Sequence, residues 1–370
     1  MTVTGLGWGA AAATGSEAAA TQPSAIVRPA SELRLPGVTE PARGWDGYAD
    51  CNNPLHWDGD TLHVFSSASH PYHSSGPDLE HLARPSRRVA FDNDAGFKGG
   101  GRWIEATYKD PSGRLYGWYH NEPPDICGRK YMTAPRIGAA VSQDNGLTWH
   151  DLGFVLEAPA DSLRCDTVNE YFVGGNGDFS VILDRRGEYF HFVFDTYHAD
   201  PAEQGVSMAR MRYADRDQPA GKVWKWHRGA WDEPGLGGHV TPIFLVRTDW
   251  HREDVDAFWG PSIHWNTYLN HYVVLLNHAM DRKWTQEGIY VAFNPDVTNP
   301  ASWAPPVKIK GRSPFYPQVI GTAKGETDKQ AGRVARFFLS AKSRWEIVFL
   351  KPGEPPPASQ PASAPQRPAG

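Results

Sequence analysis

The chain has 370 residues, with 37 Lys and Arg against 42 Asp and Glu. A net charge of -5 gives no electrostatic reason to expect a phosphate-backbone binder or a basic membrane anchor. No stretch approaches the roughly 18 uncharged apolar residues of a membrane span. The 37 Gly, 31 Pro, 15 Trp, 14 Tyr and 16 Phe point to many turns joining short, aromatic-rich strands, and they exclude a helical bundle.

In chain order, residues 1–22 are rich in Ala, Gly and Thr, lack Lys and Arg, and carry Glu17. Residues 1–29 are read as a disordered or signal-like lead, which makes a secreted or periplasmic protein the expectation. A first hairpin occupies 52–67 (NNPLHWDGDTLHVFSS), with period-2 apolar residues around Asp58-Gly59. A second occupies 103–120 (WIEATYKDPSGRLYGWYH), turning at Ser112-Gly113. Residues 137–153 follow as IGAAVSQDNGLTWHDLG: an apolar strand, a polar turn, and a Trp opening the next strand. The pattern returns as 178–195 (DFSVILDRRGEYFHFVFD) with 206–226, then as 260–277 (GPSIHWNTYLNHYVVLLN) with 289–309. A fifth hairpin, with a longer turn, spans 317–340, and WEIVFLK (345–351) supplies one more strand.

Five units of four strands each predict an all-β fold, a five-bladed β-propeller of four-stranded antiparallel blades over residues 30–351. A two-sheet sandwich has no reason to repeat a hairpin-plus-Trp unit. The last blade shows only three strands, so residues 30–37 (ASELRLPG) are expected to supply the fourth and close the ring. The Pro/Ala-rich segment 352–370 cannot form a core and is expected to be a disordered tail. Cys51, Cys127 and Cys165 show no zinc-ligand spacing, and allow at most one disulfide plus a free thiol.

SQDNGLTW (142–149) matches an Asp-box pattern through Ser142, Asp144, Gly146, Thr148 and Trp149. Its chemistry is that of a self-satisfied hairpin turn, so Asp144 reads as structural rather than catalytic.

In a propeller, inner strands start, and second strands end, on one face. The residues at those positions are candidate substrate-binding groups: Asn53 and His70 from the first unit, and Arg102, Glu105 and His120 from the second. The later units offer Asp195 and His198, then Asp256, Trp259, Asn277 and His278, then Gln318. Carboxylates, imidazoles, amides and aromatics at one mouth suit a sugar, whose hydroxyls want polar partners and whose apolar face wants a ring. No cofactor is expected. The oxygen-rich mouth leaves room for a structural Ca2+, although no loop has a recognised ligand spacing.

Several of these segments resemble the five-bladed glycosidases, the arabinanase and β-xylosidase families with their invertase relatives. Ala49-Asp50 followed by a strand, Gly59-Asp60 and HVFSS is similar to their first blade. Asp178 opening FSVILDRRGEYF is similar to their third, and Gly260-Pro261-Ser262-Ile263-His264-Trp265 to their fourth. The resemblance implies a hydrolase of furanoside-containing, arabinan-like polysaccharide or oligosaccharide. It implies Asp50 as general base or nucleophile and Asp178 as the group that tunes the acid's pKa or stabilises the transition state. Where those families carry the acid Glu before Gly-Pro, this chain has Trp259. Glu122 beside His120 ranks first as the replacement acid, ahead of Glu105, Glu170 and Asp256. Two other readings stand beside this one. A sialidase-like exo-glycosidase would need an arginine cluster, of which Arg102 is the clear mouth member, and a non-catalytic carbohydrate-binding propeller is favoured by Trp259. The expected partner is a carbohydrate and the expected state a monomer.

Overall fold

The computed structural model describes residues 21–357. Most of the expected lead (1–20) and tail (358–370) lies outside the described residues. Five antiparallel sheets form a five-bladed β-propeller, and helix is confined to short 3-10 turns among the described residues. No described helix is long and apolar enough to cross a membrane.

Blade 1 comprises Leu55–Asp58, Thr61–Ala68, His70–Gly76 and Arg87–Arg88. Blade 2 comprises Gly101–Lys109, Leu115–Glu122, Arg136–Ser142 and Thr148–Leu156. Blade 3 is built on Asn176–Leu183, Tyr189–Thr196, Gly205–Arg212 and Val223–His227. Blade 4 is built on Ala257–Asn266, His271–Ala279, Gln286–Asn294 and Val307–Lys310. The strands form where period-2 apolar residues run between turn formers, as the hairpin pattern requires. The SQDNGLTW turn satisfies itself: Asp144 accepts from Ser142 Oγ at 2.7 Å and from Thr148 N at 2.9 Å, while Trp149 is buried beneath.

Each blade is too thin to bury its own faces, so the core lies at the seams. One apolar cluster fills each: Phe65 with Trp149 between blades 1 and 2, Trp118 with Phe192 between 2 and 3, Met208 with Val274 between 3 and 4, Leu275 with Phe337 between 4 and 5, and Leu55 with Phe338 between 5 and 1.

Blade 5 contains Pro317–Ile320, Val334–Leu339 and Lys342–Leu350, and its outer strand comes from the other end of the chain. That strand is Ser24–Arg34, antiparallel to Lys342–Leu350 from Ser24↔Leu350 to Arg34↔Lys342. The expected closing strand, 30–37, is therefore corrected: it begins six residues earlier, inside the segment read as a lead, and ends at Arg34. Alternating exposure along an edge strand with Pro29 and two arginines weakens the apolar signal that would have marked it. The tail expectation is corrected for 352–357, where Glu354 accepts from Tyr268 Oη at 2.7 Å and pairs with Arg333.

Ala25, Val27 and Leu33 of the closing strand pack on the seam clusters. A chain starting at Leu35 is expected to lose on the order of 3 kcal/mol from their partial burial and the lost ladder. Denaturant unfolding of that chain beside the full one measures the loss, and equal midpoints would refute the closure.

Candidate active site

Strand ends and loops bring a group of acids to one mouth of the ring. Asp50 sits on the turn before the first inner strand, its N–H donating to Ser67 O at 2.9 Å. Glu105 lies in the inner strand of blade 2, and His120 and Glu122 end that blade's second strand. Asp178 falls at a register break between Gly177 and Phe179, where a bulge frees a side chain from the ladder. Trp259 falls at another, before Gly260-Pro261. Gly260 holds φ +58, and a Cβ there would come within 2.4 Å of Asn277 Nδ2. Only glycine lets this backbone turn under Trp259 and donate its N–H to Asp195 Oδ2 at 2.7 Å.

A cavity of about 510 Å3 opens at this mouth. Asp50, Glu105, His120, Glu122, Asp178 and Trp259 meet there. So do aromatics that strand-end reasoning missed: Trp45, Trp103, Phe172 and Trp284. Trp45 arrives on the small hairpin of Val38–Glu40 and Trp45–Tyr48. Phe172 and Trp284 come from loops, with ring centroids 5.3 Å apart, and Trp259 meets Trp284 edge-on at 4.7 Å. Their sequence signal was large aromatics inside loops, where exposure would be costly. The buried indole N–H groups of Trp103, Trp259 and Trp284 have no hydrogen-bond partner.

The electrostatics are those of crowded acids around one cation. His120 Nδ1 is 3.3 Å from Glu105 Oε1 and its Nε2 is 3.3 Å from Glu122 Oε1. Burial alone would lower its pKa, but hydrogen bonds to Glu105 and Glu122 outweigh this and raise it well above the usual histidine range. Asp178 N also lies 3.2 Å from Nδ1, a contact that only the neutral ring could accept. The two flanking carboxylates favour the charged ring against that contact. Burial and then the Glu105 charge raise Asp178 well above the aspartate range; burial and then Asp178 do the same to Asp195. Asp50 is raised to about 6, first by burial and then by Glu122, against hydrogen bonds from Tyr48 at 3.2 Å and Tyr316 at 3.4 Å.

Glu105, His120 and Asp178 each offer one atom, all within 4.8 Å of one another, so they could hold a divalent cation if His120 gave up its proton. Asp161, His198 and His239 form a second such group. There His198 Nδ1 already accepts Asp200 N–H at 2.9 Å, which puts the proton on Nε2 and removes the lone pair a cation needs.

The remaining expected binding residues stand outside the cavity lining. Asn53 and Gln318 exchange two hydrogen bonds, 2.9 Å and 2.6 Å, that tie blade 1 to blade 5. Asp195 lies beneath Asp178 and Gly260, buried. Asn277 accepts from Gln286 at 2.7 Å and supports Trp259 from below. Asp256 pairs with His278 at 2.7 Å, and His278 with Glu287. His198 faces Asp161 at 3.4 Å. Arg102 is buried with its guanidinium 3.5 Å from the Phe97 ring, and with His70 it lines a separate cavity of about 90 Å3. Of the alternative acids, exposed Glu170 faces Arg282. Position along a strand sets a residue's height in the ring but not its direction, which pleat and bulges decide.

No protein-family model and no curated protein matches the sequence. Solved structures do match in fold. A thermostable family-43 glycoside hydrolase superposes with a TM-score of 0.50 at 12% identity, covering 84% of this chain and 95% of that one. A putative exo-β-1,3-galactanase of Bifidobacterium bifidum has a TM-score of 0.47 and 14% identity over 81% of this chain and 86% of its own. The native arabinanase of Bacillus subtilis has 0.46 and 11%, over 81% and 93%. At such identities the likeness is one of fold, and the chain shares the five-bladed propeller of the family-43 glycoside hydrolase over most of both lengths.

Proposed function

We propose that the chain is a glycoside hydrolase, and that its substrate is a furanoside-containing, arabinan-like polysaccharide or oligosaccharide. The observation that carries the reading is the meeting of Asp50, Asp178 and Glu122 in one aromatic cavity at the propeller mouth. Hydrolysis needs one carboxylic acid to protonate the leaving oxygen and a second carboxylate across the ring. Asp50 serves as the base or nucleophile. Glu122, the more open of the three, serves as the acid, and the anion it leaves faces the His120 imidazolium 3.3 Å away. Asp178 tunes the pair from below. Trp259 supplies a wall in place of the expected fourth-blade acid. The furanoside part rests on the resemblance of the strand-opening motifs. The Cys127–Cys165 disulfide supports a secreted or periplasmic setting.

The sialidase-like alternative loses support, because Arg102 lies under Phe97 and outside the cavity. A non-catalytic carbohydrate-binding propeller keeps one observation in its favour, Trp259. Turnover of a panel of aryl furanosides and pyranosides separates hydrolase from binder: glycan binding with no turnover on any member would establish the binder.

On a substrate so found, Asp50→Asn and Asp178→Asn are each expected to lower kcat by about 1,000-fold with folding intact. Glu122→Gln should impair poor leaving groups far more than aryl glycosides, which need little protonation. Near-wild-type rates for both Asp variants would refute the assignment. Asp50 must be ionised to act, so activity should fall as pH drops through about 6.

The same group makes an independent thermodynamic prediction. Its folded pKa of about 6 exceeds its ordinary 3.8, so the protein is destabilised by its ionisation above pH 6 and not below pH 3.8. The penalty is on the order of 3 kcal/mol. Asp50→Asn should therefore raise stability at pH 7 and leave it unchanged near pH 3.5, as read by urea unfolding. A loss of stability at pH 7 would contradict the burial argument.

A further inference from the structure

A second cavity, of about 280 Å3, lies where blades 5 and 1 meet, at the end opposite the mouth. The inner strands run from Asn53 and Gln318 at the mouth down to Trp57 and Ile320, which line it. Leu33, Leu55, Leu62 and Leu79 supply the apolar part of the wall, beside the polar Asp78, Glu80, Thr322 and Glu326. Trp57 is held there by its indole N–H, which donates to Glu326 O at 2.9 Å.

Into this apolar lining the fold puts Arg336, which is 8% exposed. Its Nη2 donates to Ser31 O at 2.5 Å, and its Nε is buried without a hydrogen-bond partner. Among the described residues no carboxylate forms an ion pair with it. Glu346, directly across the ladder, is engaged by Arg28 at 2.8 Å. Asp78 on the rim is taken by His81 and its own turn, and Glu326 by Ala323 N. Glu80, also on the rim, is exposed. Arg102, equally buried, shows the contrast: Asp94 and Asp151 each stand 3.5 Å from it. Glu346 and Glu80 act on Arg336 only through space. A buried guanidinium with no bonded counter-ion is unfavourable, and here a cavity lies beside it.

We propose that this cavity binds a small organic monocarboxylate, with its anionic head on Arg336 and its apolar body against Trp57 and the leucines. The cavity of about 280 Å3 has room for a ligand of the size of benzoate. A sugar acid of that size would leave its hydroxyls facing Leu and Ile without partners. The rim carboxylates Asp78, Glu80 and Glu326 disfavour a second negative charge on the ligand.

Titration calorimetry of the whole chain with benzoate, benzyl alcohol and glucuronate tests this without reference to hydrolysis, so neither proposal stands or falls with the other. Benzoate should bind, and benzyl alcohol, which lacks the charge, should bind about tenfold more weakly or worse. Arg336→Met should weaken benzoate by a similar factor, and Leu79→Trp should fill the space and abolish binding while the circular dichroism spectrum is kept. If Arg336→Met fails to fold, Leu79→Trp with the ligand series still decides. No benzoate binding, equal binding of the alcohol, preference for glucuronate, or binding that survives Leu79→Trp would each overturn the proposal.

Discussion

A propeller exists only if its first and last blades meet, and nearly everything at the mouth depends on that closure. The outer strand Ser24–Arg34 completes blade 5 from the opposite end of the chain, while Asn53 and Gln318 lock the inner strands of blades 1 and 5 backbone to side chain. Asp50 lies three residues before Asn53, and Tyr316 two before Gln318. The contact between Asp50 and Tyr316 is thus set by the closure itself. Opening this joint would separate the Asp50 carboxyl from Tyr316, one of the residues around it.

The closed ring forces a concentration of charge that an open sheet would avoid. Asp50, Glu105, Glu122, Asp178 and Asp195 come from three blades and share one buried cation, His120. Little water screens them, so Asp50, Asp178 and Asp195 are all held above the usual aspartate range. The carboxyls of Asp178 and Asp195 press on each other, and each is also held by burial. Stability is given up for a site poised near neutral pH, a trade common at catalytic centres.

Around that charge the protein builds an aromatic enclosure from segments that share no local pattern. Trp45 comes from a hairpin outside the blades, Phe172 from a loop tied down through Cys127–Cys165 and the Thr133–Phe172 bridge, and Trp284 from a turn in which it holds φ +61. A bulky residue in the left-handed region is strained. Its stacking on Trp250 at 4.6 Å and its edge contact with Trp259 hold it there.

The hairpins were legible in the sequence because period-2 apolar runs between Gly and Asp turns depend only on local chemistry, and their repetition implied five blades. Asp50, Asp178, Glu105, His120 and Glu122 were legible as mouth residues because strand ends in a propeller share a height. Nine of the fifteen candidate site residues nevertheless stand outside the cavity lining. Asn277 and Gln318 brace backbone, Arg102 turns under Phe97, and Asp256 and His278 satisfy one another. Bulges at Gly177–Phe179 and Trp259–Ser262 decide which side chains turn inward, and a bulge depends on the neighbouring strand that it must fit. Which side chains reach the cavity, and which of them share protons, was settled only when five separately patterned segments were packed around one axis.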